Sequence, residues 1–264
     1  MSSDGTVRTR LRRSGSFAKI AALCGLAASL LGAHHRVGSH LESSGLTSDA
    51  LERSPLLSGR HRTVETLRRW SSEQSFRLVS ADAWGRWSAL DSLERQTVLK
   101  LNRVDARHLR RRDLVVPDSI GSELDYSPFP DSVGALADVP KFVALSRRVQ
   151  AFGAYEYGKL VRWGPTSTGK QDTPTDSGLV FTNWRKRLTY STVDPAWELN
   201  WYFNLIAVKG VAFHQYELPG RPASHGCVRL LEADAQWMFG WADEWVPGRG
   251  SEVKRYGTPV LIFG

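Results

Sequence analysis

Short apolar runs separated by polar turns dominate the second half of the chain. The runs are four to seven residues long and span residues 142–145, 149–155, 159–163, 178–184, 188–191, 197–203, 211–214 and 259–263. Strands this short and evenly spaced are typical of a β-sandwich or barrel. One segment differs, since residues 232–242 are good helix formers and predict a helix. The pattern predicts a mainly β domain over residues 141–264, with one or two helices.

The segment before this domain, residues 63–118, predicts a small and mostly helical region. Apolar residues recur there at roughly helical spacing, and no proline interrupts residues 64–113. Its end, from Leu101 to Pro117, resembles the second half of a LysM wall-binding module. A helical prodomain or spacer is the alternative. Residues 119–140 are rich in Pro, Ser, Asp and Gly and predict a linker.

A basic segment followed by an apolar run at the start of the chain predicts an export signal. Basic residues from Arg8 to Lys19 precede the apolar residues 20–33. Secretory signals have this charge order and an apolar region of about 7–15 residues, whereas a membrane-spanning helix needs about 20. Residues 1–33 therefore predict a signal peptide or N-terminal anchor and a location in the periplasm or cell envelope. A buried helix with basic flanks is the alternative, and the polar residues 34–62 predict a linker.

The positive charge of the chain belongs to its first half. Residues 1–112 hold 20 Lys and Arg against 10 Asp and Glu, whereas residues 113–264 hold 15 against 17. A basic front of this kind can bind an anionic envelope surface, and a solvated Arg-rich linker is the alternative. The sequence has no zinc-finger spacing, basic zipper or aromatic RNA-binding motif, which argues against nucleic acid as the partner.

Cysteine and histidine are concentrated around one short segment. The chain has two cysteines, Cys24 and Cys227, and Cys24 lies in the predicted export signal. Of seven histidines, only His214 and His225 lie within residues 113–264. A thiol attacks as the thiolate, and a neighbouring histidine can take its proton. The combination predicts a reactive thiol at Cys227.

The loop between His214 and Cys227 is rich in turn formers, so it can bring the two residues together. The amides of Gly226 and Cys227 are candidates for holding an oxyanion, and Arg229 for binding a carboxylate. Two alternatives stay open at this point. A lone cysteine is often a small buried hydrophobe, and His214, His225 and Cys227 are three possible zinc ligands.

The segment resembles the signature of the L,D-transpeptidase (YkuD) family. The family pattern of a histidine, a spacer and Ser/Thr-His-Gly-Cys is found here at His214 and at Ser224 to Cys227, with Arg229 two residues further on. Residues 143–149, 167–170 and 173–178 resemble the early strands and the Thr-Pro-x-Gly turn of the family. The sequence departs from the pattern in a shorter spacer and in Gln215, which stands where Gly or Ser is usual.

The resemblance implies a β-sandwich catalytic domain that acts on peptidoglycan stem peptides through a thioester on Cys227. It implies that His214 is the base, oriented by the carbonyl of Gln215, and that no metal or organic cofactor takes part. Ser224, His225 and Arg229 would shape the turn and the donor pocket. The alternatives are an L,D-carboxypeptidase or D-amino acid exchange enzyme, and a non-enzymatic peptidoglycan-binding envelope protein.

Overall fold

The short strands of the second half of the chain form one curled sheet. The computed structural model describes residues 76–79, 92–109, 114–117, 120–250 and 252–264. The predicted export segment, residues 1–33, and the predicted linker, residues 34–62, lie outside them. The strands are β1 (Phe76–Val79), β2 (Leu114–Pro117), β3 (Phe142–Ser146), β4 (Ala151–Glu156), β5 (Lys159–Ser167), β6 (Gly178–Phe181), β7 (Arg185–Tyr190), β8 (Glu198–Ile206), β9 (Val211–Gln215), β10 (Val228–Leu230), β11 (Val246–Pro247), β12 (Val253–Arg255) and β13 (Pro259–Phe263). The α-helices of the described residues are α1 (Ser92–Asn102) and α2 (Glu232–Trp241).

Nine of these strands form a sheet with the order β6-β13-β3-β4-β5-β10-β9-β8-β7. The pairs β13–β3 and β10–β9 are parallel, and the other neighbours are antiparallel. The predicted mainly β fold with one or two helices is confirmed. β10 was not predicted, because three residues inside the motif are too short to show a period.

Side chains that alternate along each strand supply two hydrophobic cores, one on each face of the sheet. In β3, Phe142 and Ala144 belong to the first core, and Val143 and Leu145 belong to the second. The second core also joins residues of β8 and β13, which are six positions apart in the sheet order. Strands so far apart share a core only if the sheet curls, and α2 packs against β8 and β9.

Residues 120–140 contribute buried side chains to the first core, which corrects the prediction of a linker over residues 119–140. The segment folds into two short 3-10 helices, Glu123–Tyr126 and Gly134–Leu136. Its buried apolar side chains are Tyr126, Phe129, Val133, Leu136 and Val139. The turn formers that suggested a linker instead provide sharp bends between these side chains.

The described residues before the nine-stranded domain are helical only in part. α1 lies within the predicted stretch, but Phe76–Val79 is a strand that pairs antiparallel with β2. The helical prediction is therefore wrong at these four residues, because pairing with a strand more than 30 residues away overrides local spacing. Within the part of the chain that the structure describes, no helix combines the length and the apolarity of a membrane span.

Candidate active site

Parallel strand pairing brings the two ends of the motif loop together. β9 carries His214, and β10 begins one residue after Cys227. The register places Val228 opposite Phe213 and Arg229 opposite His214. Because parallel strands place their corresponding ends side by side, Cys227 lies beside the strand that carries His214. The structure thus brings together the two residues that the turn-rich loop was predicted to join.

Cys227 and His214 line one open cavity of about 260 Å³. Arg229 and Lys209 line it as well. Its aromatic wall consists of Trp184, Tyr190, Trp197, Tyr202 and Tyr216. An apolar, aromatic cleft with a few polar groups pointing into it is the usual form of a ligand-binding site.

His214 is held in one orientation by the backbone that follows it. Its Nδ1 lies 3.0 Å from the carbonyl oxygen of Gln215, which is the contact expected for that residue. A carbonyl only accepts, so Nδ1 carries the proton and Nε2 is the basic nitrogen. Burial lowers the pKa of His214 to about 4, with the Gln215 carbonyl opposing the shift and Arg229 adding to it. His214 is therefore a neutral base at pH 7.

The thiol of Cys227 is half-buried and protonated at rest. Its Sγ donates to the carbonyl oxygen of Gly210 at 3.6 Å. Burial raises the pKa of the thiol, while the backbone amide of Ala212 and the charge of Arg229 act against that rise. Because the thiolate is the attacking form, the proton has to leave during the reaction.

Tyr202 on β8 is a site residue that the sequence did not reveal. Its hydroxyl donates at 3.2 Å to the carbonyl oxygen of Gly210, which also accepts from the Cys227 thiol. The Nδ2 of Asn204 donates to this hydroxyl at 3.1 Å, and burial raises the pKa of Tyr202. A protonated hydroxyl is thus fixed close to the sulfur. Tyr202 and Asn204 are two residues apart, a spacing that any half-buried strand shows.

The turn that presents Cys227 depends on Gly226 and Ser224. Gly226 has a φ of +112°, a conformation that favours glycine. Its N–H donates to Ser224 Oγ at 3.1 Å, and this Oγ donates to the carbonyl oxygen of Cys227 at 2.5 Å. The prediction of the Gly226 amide as an oxyanion donor is therefore corrected, because a side-chain acceptor already holds its hydrogen. The Cys227 amide remains a candidate donor.

Arg229 places a positive charge in the cavity and rests on an aromatic ring. Its guanidinium lies 4.6 Å from the ring centroid of Tyr216, and its Nη1 donates to the carbonyl oxygen of Glu217 at 3.5 Å. The Tyr216 ring also meets the His214 ring edge to face at 5.8 Å. A cation stacked on an aromatic face is oriented, so Tyr216 positions both His214 and Arg229.

His225 lies at the rim of the cavity that His214 and Cys227 also line. Its side chain is exposed, and its ring lies 5.4 Å from that of Trp197 at the cavity rim. Among the described residues, no three His, Cys, Asp or Glu side chains converge as metal ligands. The zinc alternative needed His214, His225 and Cys227 to meet at one point, and this geometry does not provide it.

Residues 142–262 match the model of the YkuD family, described as an L,D-transpeptidase catalytic domain. This is the family that the motif resembles. A search of curated proteins gave no match.

Several solved structures are similar to the chain. An L,D-transpeptidase from Mycobacterium smegmatis is 18% identical, with a TM-score of 0.38, over 47% of this chain and 58% of that chain. An L,D-transpeptidase from Stackebrandtia nassauensis is 22% identical, with a TM-score of 0.39, over 47% of this chain and 56% of that chain. The chain therefore spans less than two thirds of the length of either structure. The match to the family model covers residues 142–262, which is less than half of the chain.

Proposed function

Because residues 142–262 form a YkuD-type L,D-transpeptidase catalytic domain, we propose that the protein is a cysteine-dependent peptidoglycan L,D-transpeptidase. One observation carries the proposal. Cys227 and a neutral His214, whose Nδ1 is bound to the Gln215 carbonyl, line the same aromatic cavity. This is the arrangement that a thiol nucleophile and its base require.

In the first half-reaction, His214 Nε2 takes the proton of the Cys227 thiol as the sulfur attacks a stem-peptide carbonyl. That carbonyl belongs to the L-configured centre of the diamino acid, next to the terminal D-amino acid. The oxyanion that forms is held by the Cys227 amide. The hydroxyl of Tyr202 gives its one hydrogen to the Gly210 carbonyl and so fixes that carbonyl beside the sulfur. When the carbon–nitrogen bond breaks, the imidazolium returns its proton to the leaving amine, and a thioester remains.

In the second half-reaction, an amine from a neighbouring stem attacks the thioester. His214 accepts a proton from that amine, a new amide bond forms, and the sulfur leaves as thiolate and is reprotonated. Water in place of the amine would give an L,D-carboxypeptidase, and a free D-amino acid would give exchange. The spacer that separates His214 from Ser224 is shorter than the usual family form, which leaves a smaller loop on the acceptor side of the cavity.

Arg229 is proposed to bind the carboxylate of the donor stem. It lines the cavity with the thiol and is already oriented by the Tyr216 ring. A guanidinium can hold a carboxylate through two parallel hydrogen bonds. His225 would contribute at the rim through its contact with Trp197.

Peptidoglycan lies outside the cytoplasm, and we propose that the protein acts there. Export by the basic and apolar residues 1–33 would place it in the periplasm or cell envelope. The basic first half of the chain would then face an anionic envelope surface.

Incubation of the full chain with tetrapeptide muropeptides tests the proposed function. Mass spectrometry of the products is expected to show a cross-linked dimer that has lost one terminal D-amino acid. A tripeptide product without dimers would support the carboxypeptidase instead, and incorporation of an added D-amino acid without dimers would support the exchange enzyme. No conversion, combined with binding to peptidoglycan, would support a non-enzymatic envelope protein.

The pH dependence of acylation follows from the protonation of His214. A carbapenem is a suitable acyl donor, and intact-protein mass spectrometry gives the rate at which it acylates Cys227. The rate is expected to be level from about pH 5 to 8 and to fall only towards pH 4. Below its pKa of about 4, the imidazole is protonated and cannot accept the thiol proton. The raised pKa of Cys227 keeps the thiol protonated over the same range.

A fall of the rate near the ordinary histidine pKa of about 6.5 would contradict this assignment and indicate a solvated His214. Circular dichroism at each pH is the control, because acid unfolding would also slow the reaction. Only pH values at which the signal is native enter the comparison.

A further inference from the structure

The loop between His214 and Cys227 is held by a segment that precedes the catalytic domain. Val104 and Pro219 form an isolated antiparallel bridge. The N–H of Asp105 donates to the carbonyl oxygen of Leu218 at 3.1 Å, and the N–H of Leu218 donates to Asp105 Oδ2 at 2.8 Å. Two chain segments more than 100 residues apart are thus joined at the edge of the active site.

The carboxylate of Asp105 divides its two oxygens between these segments. Oδ1 accepts from the N–H groups of Arg107 and His108 at 2.9 and 3.1 Å, and so caps the short 3-10 helix Ala106–His108. It also lies 2.8 Å from Nδ1 of His108. Oδ2 accepts from Leu218. One oxygen therefore fixes the local turn, and the other fixes the catalytic loop.

The contact is buried at its centre. Val104 and Leu218 are both fully buried. The neighbouring ion pair between Arg107 and Glu217 is exposed, with 78% and 46% of the two side chains accessible. Exposed ion pairs contribute little to stability, so the hydrogen bonds of Asp105 contribute most of the stability of this contact.

The residues just before Leu218 hold the catalytic groups. Gln215 supplies the carbonyl that orients His214. The Tyr216 ring lies against His214 and under the guanidinium of Arg229, and the Glu217 carbonyl accepts from Arg229. A segment bound at Leu218 cannot shift without moving these contacts.

We propose that Asp105 is a positioning residue for the active site. Its side-chain hydrogen bond to Leu218, called the clamp below, holds the loop between His214 and Cys227 in place. Residues 104–108 therefore guide the catalytic domain rather than act as a spacer. The inference deepens the proposed function and rests on it. Asp105 acts through Leu218 and touches neither the substrate nor the thiol.

The substitutions Asp105→Ala and Asp105→Asn test the clamp in the full chain. Asparagine is as good a helix cap as aspartate, but its amide has only one oxygen. If that oxygen accepts from the N–H groups of Arg107 and His108, the NH2 group faces the N–H of Leu218. Both of these groups are donors, so no hydrogen bond forms between them. Both variants are therefore expected to lose the bond from the Leu218 N–H to the Asp105 side chain and to keep the backbone bond of Asp105. Only Asp105→Ala is expected to lose the cap as well.

The first readout is the rate of acylation of Cys227 by a carbapenem, measured well below the melting temperature of each variant. Both variants are expected to react about 10-fold or more slowly, because misplaced catalytic groups lose that much rate. The second readout is hydrogen exchange at the Leu218 amide, which should lose protection in both. Arg107→Ala, which removes only the exposed pair at the same contact, is the control and should stay within about 2-fold of the wild-type rate.

An Asp105→Asn variant with wild-type acylation and wild-type protection of Leu218 would overturn the clamp and leave Asp105 as a local cap. A slow rate in Arg107→Ala equal to that of Asp105→Ala would also overturn it, since the exposed pair would then hold the loop. If the wild-type protein is not acylated, the proposed function fails. The exchange rates at Leu218 still decide whether the clamp exists.

Discussion

Replacement of Cys227 by alanine is expected to abolish the covalent acyl-enzyme and to slow the release of D-amino acid by about 10³-fold or more. The thiol has no substitute in the cavity. The other cavity groups close to it include a neutral imidazole at His214, a hydroxyl at Tyr202, whose pKa burial raises, and the Ser224 hydroxyl, which donates to the Cys227 carbonyl. Without the sulfur, His214 has no bound nucleophile to deprotonate.

The fold should survive the change. Cys227 is half-buried, and its Sγ makes one weak hydrogen bond, to the Gly210 carbonyl at 3.6 Å. The turn around it is held by Gly226, Ser224 and the backbone, none of which alanine disturbs. A melting temperature within a few degrees of the wild type is therefore the condition for interpreting the loss of activity.

Cys24→Ala is the matched control, because Cys24 is the other cysteine of the sequence. Intact-protein mass spectrometry after exposure to a carbapenem should show one adduct in the wild type and in Cys24→Ala, and none in Cys227→Ala. An adduct of equal amount in Cys227→Ala would place the nucleophile elsewhere and refute the mechanism.

The strands of the catalytic domain could be predicted, but their order could not. Apolar runs such as residues 142–145 and 259–263 can be recognised as strands by their length and by the turns that flank them. Nothing local indicates that β13 inserts between β3 and β6, since that order depends on parallel pairing between segments more than 100 residues apart. The prediction of a linker over residues 119–140 is wrong at residues 120–140 for a related reason. Their turn formers are local signals, whereas the burial of Phe129 and Leu136 depends on the sheet they meet.

The candidate site could be predicted where it uses residue types that are rare in this half of the sequence. A single cysteine and two histidines stand out in residues 113–264, so Cys227 and His214 could be singled out as candidates, and both line one cavity. Tyr202 and Asp105 could not, because a tyrosine in a strand and an aspartate before a short helix are common. Their roles come from atoms that the fold brings close, namely the Gly210 carbonyl and the Leu218 amide. The Gly226 amide was misjudged because the sequence does not show where the Ser224 hydroxyl points.

The second large effect is expected in stability, at a buried cluster of charges that fastens α1 to the catalytic domain. Lys100 on α1 is 1% exposed, and its Nζ donates to the carbonyl oxygen of Trp163 at 2.9 Å. It also pairs with Glu123, and with Asp234 Oδ1 at 3.2 Å. Asp234, on α2, is fully buried and receives a second cation, Arg162, at 2.7 Å.

Lys100→Met is expected to lower the free energy of unfolding by about 3 kcal/mol. Methionine keeps most of the side-chain volume of lysine. The change in the free energy of unfolding therefore reports the removal of the charge and not the creation of a cavity. Asp234 would stay buried with Arg162 as its cation, and its Oδ2 already has no hydrogen-bond partner among the described residues. Removal of one of its two cations leaves the buried charge of Asp234 only partly compensated, which costs far more than the loss of an exposed pair.

Urea denaturation at pH 7 measures the change, and Lys209→Met is the matched control. Lys209 pairs with Asp176 at 2.6 Å, but both side chains are about half exposed, so its loss should cost less than about 1 kcal/mol. Equal effects in the two variants would mean that the Lys100 cluster does not stabilise the fold. A larger loss at Lys100 would instead show that α1 is an integral part of the catalytic unit. Because α1 is followed within three residues by Asp105, weaker docking of this helix should also loosen the contact at Leu218.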